Sequence, residues 1–137
     1  MFKLNFATPD KKVVSDQELQ NVIVPAFAGE LDILEGHAPL MTTLEPGILR
    51  YTLKNGDTGS YAIGWGYCQV SSEGVNILAE TAATAAEVNV KADKDLLKLE
   101  EEKLASVSLD DGEWTSTQNQ VARLKAELDL AETTKLH

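Results

Sequence analysis

Near position 90 the residue chemistry of this 137-residue chain changes abruptly, and that change limits the architecture before any motif is considered. Eight of the nine glycines, all four prolines, all three phenylalanines and all three tyrosines precede it. The remainder runs in Leu, Lys, Glu and Ala, with Gly112 as its single glycine. Aromatic residues and turn formers suit short strands, whereas straight-chain residues without breakers suit helices. The sequence predicts a β-rich unit over residues 1–88 and a helical unit over 89–137.

Within the first unit, Phe2, Leu4 and Phe6 alternate with Lys3 and Asn5, the period of a strand with one buried face, and Thr8-Pro9-Asp10 ends it. Ile48–Leu53 and Ser60–Ile63 flank Lys54-Asn55-Gly56-Asp57, where Asn-Gly supplies the positive φ angles of a tight hairpin turn. Tyr61, Ile63, Trp65, Tyr67 and Gln69 read as one continuous alternating face, with Gly64 and Gly66 leaving room for a bulge or a close sheet. Ser71-Ser72-Glu73-Gly74 then turns the chain into a strand over Val75–Ala79. Many short strands joined by turns favour a sandwich or barrel.

Beyond Val90 the period becomes helical. Leu97 and Leu104, with Leu96 and Leu99 beside them, make one stripe, and Asp110-Asp111-Gly112 interrupts it. Trp114, Val121, Leu124, Leu128 and Ala131 make a second. Two such helices bury their stripes against each other as an antiparallel hairpin, and an intramolecular core is favoured over a partner surface. Trp65 and Trp114 fit either core packing or an interface anchor.

Charge narrows the function. Twelve Lys and Arg against 22 Asp and Glu give a net charge of -10, which supplies no basic patch for nucleic acid or for an anionic lipid surface. The apolar runs are far shorter than the roughly 20 residues that span a bilayer, and the first residues carry no export or organelle address. Reactive groups are sparse. Glu30, Asp32, Glu35 and His37 place three carboxylates and an imidazole close in sequence, but no Cys or second His completes a transition-metal set, so a polar turn is favoured over a metal centre. His137 is the last residue, and Cys68 reads as a small buried hydrophobe with no base near it in sequence. No glycine pattern forms a phosphate-binding loop. By elimination the chain is a binding or assembly subunit.

The stretch from Gly29 to Leu40, Gly-Glu-Leu-Asp-Ile-Leu-Glu-Gly-His-Ala-Pro-Leu, resembles the Gly-Glu-x-Gly-Ile-x-Pro-Gly-His-Ala-Pro-Leu signature of the epsilon subunit of F-type ATP synthase, called delta in mitochondria. Thr8-Pro9, Val13-Val14-Ser15, Leu44-Glu45-Pro46-Gly47, Gly64–Val70 and Val75–Ala82 match the family in the same order, over about the first 88 residues. The resemblance implies a ten-stranded β-sandwich followed by a two-helix hairpin. It also implies a central-stalk subunit without catalytic residues or cofactor, held by a gamma subunit and by the c-ring of the membrane sector. Such a subunit is a peripheral protein on the cytoplasmic face of a bacterial inner membrane, turning with the proton-driven ring to support ATP formation in the alpha and beta subunits. The family's c-ring contact carries over to Glu30, with Asp32, Glu35 and His37 in the same loop region.

Three departures carry expectations. Asp32 and Glu35 stand where the signature has Gly and Pro, giving a more acidic and differently bent loop. Some bacterial members bind ATP through Ile/Leu-Asp-x-x-Arg-Ala at the start of the first helix; Val88, Asn89, Ala92 and Asp93 do not match it, so no ATP site is expected. Residues 90–137 carry seven Lys and Arg against eleven Asp and Glu, which opposes the family's docking of a basic hairpin on an acidic beta-subunit segment. Weak or absent inhibition of ATP hydrolysis is expected. The competing reading is a free-standing β-sandwich binding module or small metal-dependent enzyme built on Glu30, Asp32, Glu35 and His37.

Overall fold

A computed structural model describes residues 2–106 and 111–135. Nine strands precede two helices: β1 Lys3–Ala7, β2 Lys12–Ala26, β3 Gly29–Leu34, β4 Leu40–Leu44, β5 Gly47–Leu53, β6 Thr58–Ile63, β7 Gly66–Ser71, β8 Gly74–Ala79, β9 Ala82–Ala83, α1 Val90–Ser106 and α2 Asp111–Lys135. The strands form a sandwich. One layer is β2-β1-β8-β7-β4, with β1 and β8 parallel, and the other is β3-β2-β5-β6-β9. The expected ten strands become nine because β2 runs unbroken for 15 residues and serves both layers. Its first half pairs with β1 and its second with β3 and β5, so counting it once per layer restores ten. A positive φ of 56° at Asp16 accompanies the bulge where β2 shifts register on β1, and the Asn5 side-chain oxygen accepts the Asp16 N–H at 2.9 Å.

Inward residues of both layers make one core. Phe2, Leu4 and Phe6 of the first strand region are buried, as their alternation predicts, and meet Val22, Val24, Ile33, Leu49 and Ile63 from the opposite layer. The β5–β6 hairpin turns at Asn55-Gly56: Gly56 takes φ 97°, the Asn55 side-chain oxygen accepts the Asp57 N–H at 2.8 Å, and Leu53 N–H donates to Asp57 O. The continuous alternating face expected from Tyr61 to Gln69 does not form. Ile63 points inward, but Trp65 is 40% and Tyr67 48% exposed, while Cys68 and Val70 are buried. The chain crosses from one layer to the other at Gly64-Trp65, so the side facing the core switches from odd to even residues. Gly66 meets the backbone of β8 and Gly64 the Thr81 hydroxyl, the close approach expected of them.

A short 3-10 turn at Ala85–Glu87 leads into the helices. It is closed by a capping box in which the Glu87 carboxylate accepts the Thr84 N–H and hydroxyl, each at 3.0 Å, and these bonds hold that carboxyl below the usual range. Asn89 starts α1: its side-chain oxygen accepts the Ala92 N–H at 3.0 Å. Helix α2 already contains Asp111 and Gly112, so these two residues do not interrupt the helical run as expected, and Asp110 lies outside the described residues. The two helices pack together, and α2 also lies on the outer face of β5 and β6. There Ala126 and Leu130 cover Ala62 beside Ile48 and Ala85, while Val121, Leu124, Leu128 and Ala131 are buried as the second stripe predicts. Trp114 is 46% exposed and does not join that stripe, and Leu99 of the first stripe is 57% exposed. Leu96, Leu97 and Leu104 are half-buried, so α1 is an outer layer resting on α2.

Candidate functional site

Strand β3 is an edge strand, paired only with β2 among the described residues. Its period of two buries Ile33 and half-buries Leu31, which turns Glu30 and Asp32 outward on the other face. Glu30 stands opposite Pro25 and lines a groove with Arg50 and with Lys125 and Asp129 of α2. Asp32 stands opposite Ile23 and accepts a hydrogen bond from the Asn21 amide at 2.9 Å.

Beyond the strand the chain turns sharply. His37 N–H donates to Leu34 O at 3.1 Å around Gly36, whose φ is 93°, and His37 Nδ1 lies 2.8 Å from Ala38 O. That contact is the local bond expected of a polar turn and commits Nδ1 to the N–H form. Glu35 reaches Lys54 of the β5–β6 hairpin at 3.8 Å, with both side chains exposed. The structure thus pairs Glu30 with Asp32 but sends Glu35 and His37 to the far end of β3. Five residues of extended chain separate Glu30 from Glu35 by about 16 Å. Among the described residues no three His, Cys, Asp or Glu side chains gather in a way that could hold a metal ion. Cys68 is fully buried and desolvation pushes its thiol up to about 12, which leaves it without the thiolate a nucleophile needs.

The unmatched nucleotide stretch has structural duties of its own. Asn89 caps α1, Ala92 is exposed, and Asp93 faces α2, where it meets Glu127. Sequence reasoning missed Glu127, although a Glu between Leu124 and Leu128, four residues after Arg123, was a visible signal: a charge on a buried stripe needs a partner. Arg123 Nη1 contacts both Glu127 carboxylate oxygens at 3.1 and 3.2 Å, and Nε donates to the Gln120 side chain at 3.1 Å.

A second surface was also missed. The outer face of the β2-β1-β8-β7-β4 layer has no described helix over it, in contrast to the other layer. Met41 is 66% exposed there, and Tyr67 stands opposite Thr43 on the neighbouring strand. Exposed large apolar side chains on one open sheet face suit a protein partner.

Comparison with known proteins agrees in one direction. The family described as ATP synthase, Delta/Epsilon chain, beta-sandwich domain matches residues 1–85. The ATP synthase epsilon chain of Bdellovibrio bacteriovorus is 46% identical over 131 residues, which cover 95% of this chain and 94% of that protein. The epsilon chain of Allorhizobium ampelinum is 32% identical over 136 residues, covering 99% and 93%. Among solved structures, a chain of the Euglena gracilis mitochondrial ATP synthase, from its OSCP/F1/c-ring assembly, shares the fold with a TM-score of 0.79 at 20% identity, over 99% of this chain and 81% of that one.

Proposed function

This chain belongs to the ATP synthase delta/epsilon family, and from that membership we propose that it is a central-stalk subunit that turns with a gamma subunit and a membrane c-ring. It is a non-catalytic subunit, transmitting proton-driven rotation toward ATP formation in the alpha and beta subunits. The observation that carries the reading is similarity to bacterial epsilon chains along nearly the whole chain, helices included. Residues 1–88 make the gamma and c-ring contacts, and residues 89–137 form the hairpin unit. The sandwich core contains no helix residue, which supports that division. None of the described helices is long and apolar enough to cross a membrane, so attachment at the cytoplasmic face of a bacterial inner membrane runs through protein contacts.

The c-ring contact is assigned to the region of Glu30, Asp32, Glu35 and His37, with Glu30 as its principal charge. All three carboxylates are exposed, and their negative charge orients a contact with polar ring loops more than it adds affinity. The open face bearing Met41 and Tyr67 suits the gamma contact. Glu30→Lys is expected to weaken ATP-driven proton pumping in the assembled enzyme while shifting the stability of the isolated subunit by less than about 0.5 kcal/mol, as exposed substitutions do. Pumping equal to that of the unaltered enzyme would remove the assignment. Co-purification of gamma and c-ring proteins with the tagged chain tests the wider reading; a solitary monomer would favour the free-standing module.

Two expectations concern the helices. With Asn89 and Ala92 at the motif positions, no ATP site is assigned to the start of α1. With more Asp and Glu than Lys and Arg over residues 90–137, the hairpin is expected to inhibit ATP hydrolysis little. Removing residues 90–137 from the assembled enzyme should leave hydrolysis near its starting rate, and a several-fold rise would contradict this.

A further inference from the structure

Where α1 crosses α2 the polar chemistry does not balance if every carboxylate is ionised. Glu127 is only 9% exposed, and Asp93 Oδ2 is buried with no hydrogen-bond donor in reach among the described residues. The two carboxyl groups are hydrogen-bonding neighbours. Two ionised carboxylates are both acceptors and cannot bond each other, whereas one proton held between them satisfies both. Arg123 neutralises one charge of the pair through its two contacts with Glu127 and leaves Asp93 Oδ2 unsatisfied.

We propose that Asp93 and Glu127 share a proton and so form a latch that holds α1 on α2 in acid and loosens it as the pH rises. Helix α1 is suited to such release: none of its described side chains is fully buried, its Leu96, Leu97 and Leu104 are half-buried, and an ion pair to α2, Lys125 to Glu101 at 3.9 Å, is exposed and weak. Helix α2 is held separately by Ala126 and Leu130 on the sheet. Arg123 and Asp93 are the charged groups that act on Glu127 among the described residues. Arg123 comes from α2; on the strand side, Glu80 lines the cleft that Arg123 also lines; on α1, Glu100 pairs with Lys103.

Burial pushes the Glu127 carboxyl above its ordinary range; Arg123 opposes the rise and Asp93 adds to it. A value raised in the docked state means that docking is fully supported below the ordinary Glu value of about 4.3 and is lost as pH rises through the docked value. One linked proton lowers the docked-to-undocked ratio by up to about tenfold per pH unit within that window. The latch does not depend on the partners assigned above, since it lies within the chain.

Single-molecule energy transfer on the full chain tests it. Dyes are placed on the exposed positions Leu99→Cys and Asp57→Cys; Cys68 stays unlabelled because it is buried and its thiol is pushed up to about 12. The high-transfer population should fall between pH 4 and pH 8. In Asp93→Asn the amide donates to Glu127 and no second carboxyl shares the proton, so the pH dependence should weaken, with α1 docked over a wider pH range. Glu127→Gln, whose amide donates to Asp93, removes the raised carboxyl itself, so its profile should be flat, which decides the matter if Asp93→Asn fails to fold. A flat profile in the unaltered chain, or the same pH slope in both variants, would overturn the latch.

Discussion

Phe6→Ala should cost about 3–5 kcal/mol, the range for truncating a fully buried phenylalanine. Phe6 is 0% exposed on β1 and meets the Tyr61 ring of β6 edge-on, with centroids 5.4 Å apart and planes at 88°. Because β1 and β6 lie in opposite layers, this contact ties one sheet to the other. The substitution therefore empties a volume both layers line, and it removes an edge-to-face contact worth about 0.5–1.5 kcal/mol beyond buried area. Domains of this kind unfold with about 5–15 kcal/mol in all, so about a fifth or more of the stability is at stake. At about 2 kcal/mol per molar of urea, the midpoint should fall by about 2 M, read from the fluorescence of the half-exposed Trp65. Phe27→Ala is the control: that ring is 74% exposed and should change stability by less than about 0.5 kcal/mol. A Phe6→Ala loss no larger than the control's would show that the two layers do not depend on this ring.

What the sequence made legible was local. Phe2, Leu4 and Phe6 stand on one side of a short segment, and Asn55-Gly56 encodes its turn through bonds spanning two or three residues. Both survive folding because neither depends on distant chain. The face switch at Gly64-Trp65 is different, since it depends on which layer the next strand joins, and alternation cannot carry that information across a crossover. The length of β2 was hidden for the same reason: it has two sets of partners, each far away in sequence. On the helices, a stripe of leucines does not reveal whether a helix is covered on one side or two. Helix α2 lies between α1 and the sheet, and α1 is left outside with Leu99 exposed. The candidate site was legible as a composition of charges, while its geometry was not. Extended backbone pairs residues two apart, so Glu30 and Asp32 share a face and Glu35 and His37 fall beyond it.

Gly66→Ala should be nearly as damaging as the loss of the Phe6 ring, although it adds one methyl group and removes nothing. A Cβ at Gly66 would collide with Leu78 O and lie 2.9 Å from Ala79 Cα, both backbone atoms of β8. A flexible side chain could swing aside at little cost; a paired strand cannot. Gly66 opposes Ala79 directly in the β7–β8 ladder, and next to it Glu80 N–H donates to Trp65 O at 2.6 Å. Relief of the clash must therefore force the paired strands away from each other at the point where the chain enters its second layer. Overpacking of this kind costs about 1–3 kcal/mol, and a backbone obstacle places the expectation at the upper end, about 3 kcal/mol. Gly56→Ala isolates the general cost of replacing a glycine from the steric one. Its Cβ would meet nothing within 4 Å, so only the strain of φ 97° remains, about 1–2 kcal/mol. Urea midpoints of the two variants should then differ by about 0.5–1 M, with Gly66→Ala the less stable. The reverse order would mean that β7 and β8 can separate locally without loss, and that the glycine is not there to let the two backbones meet.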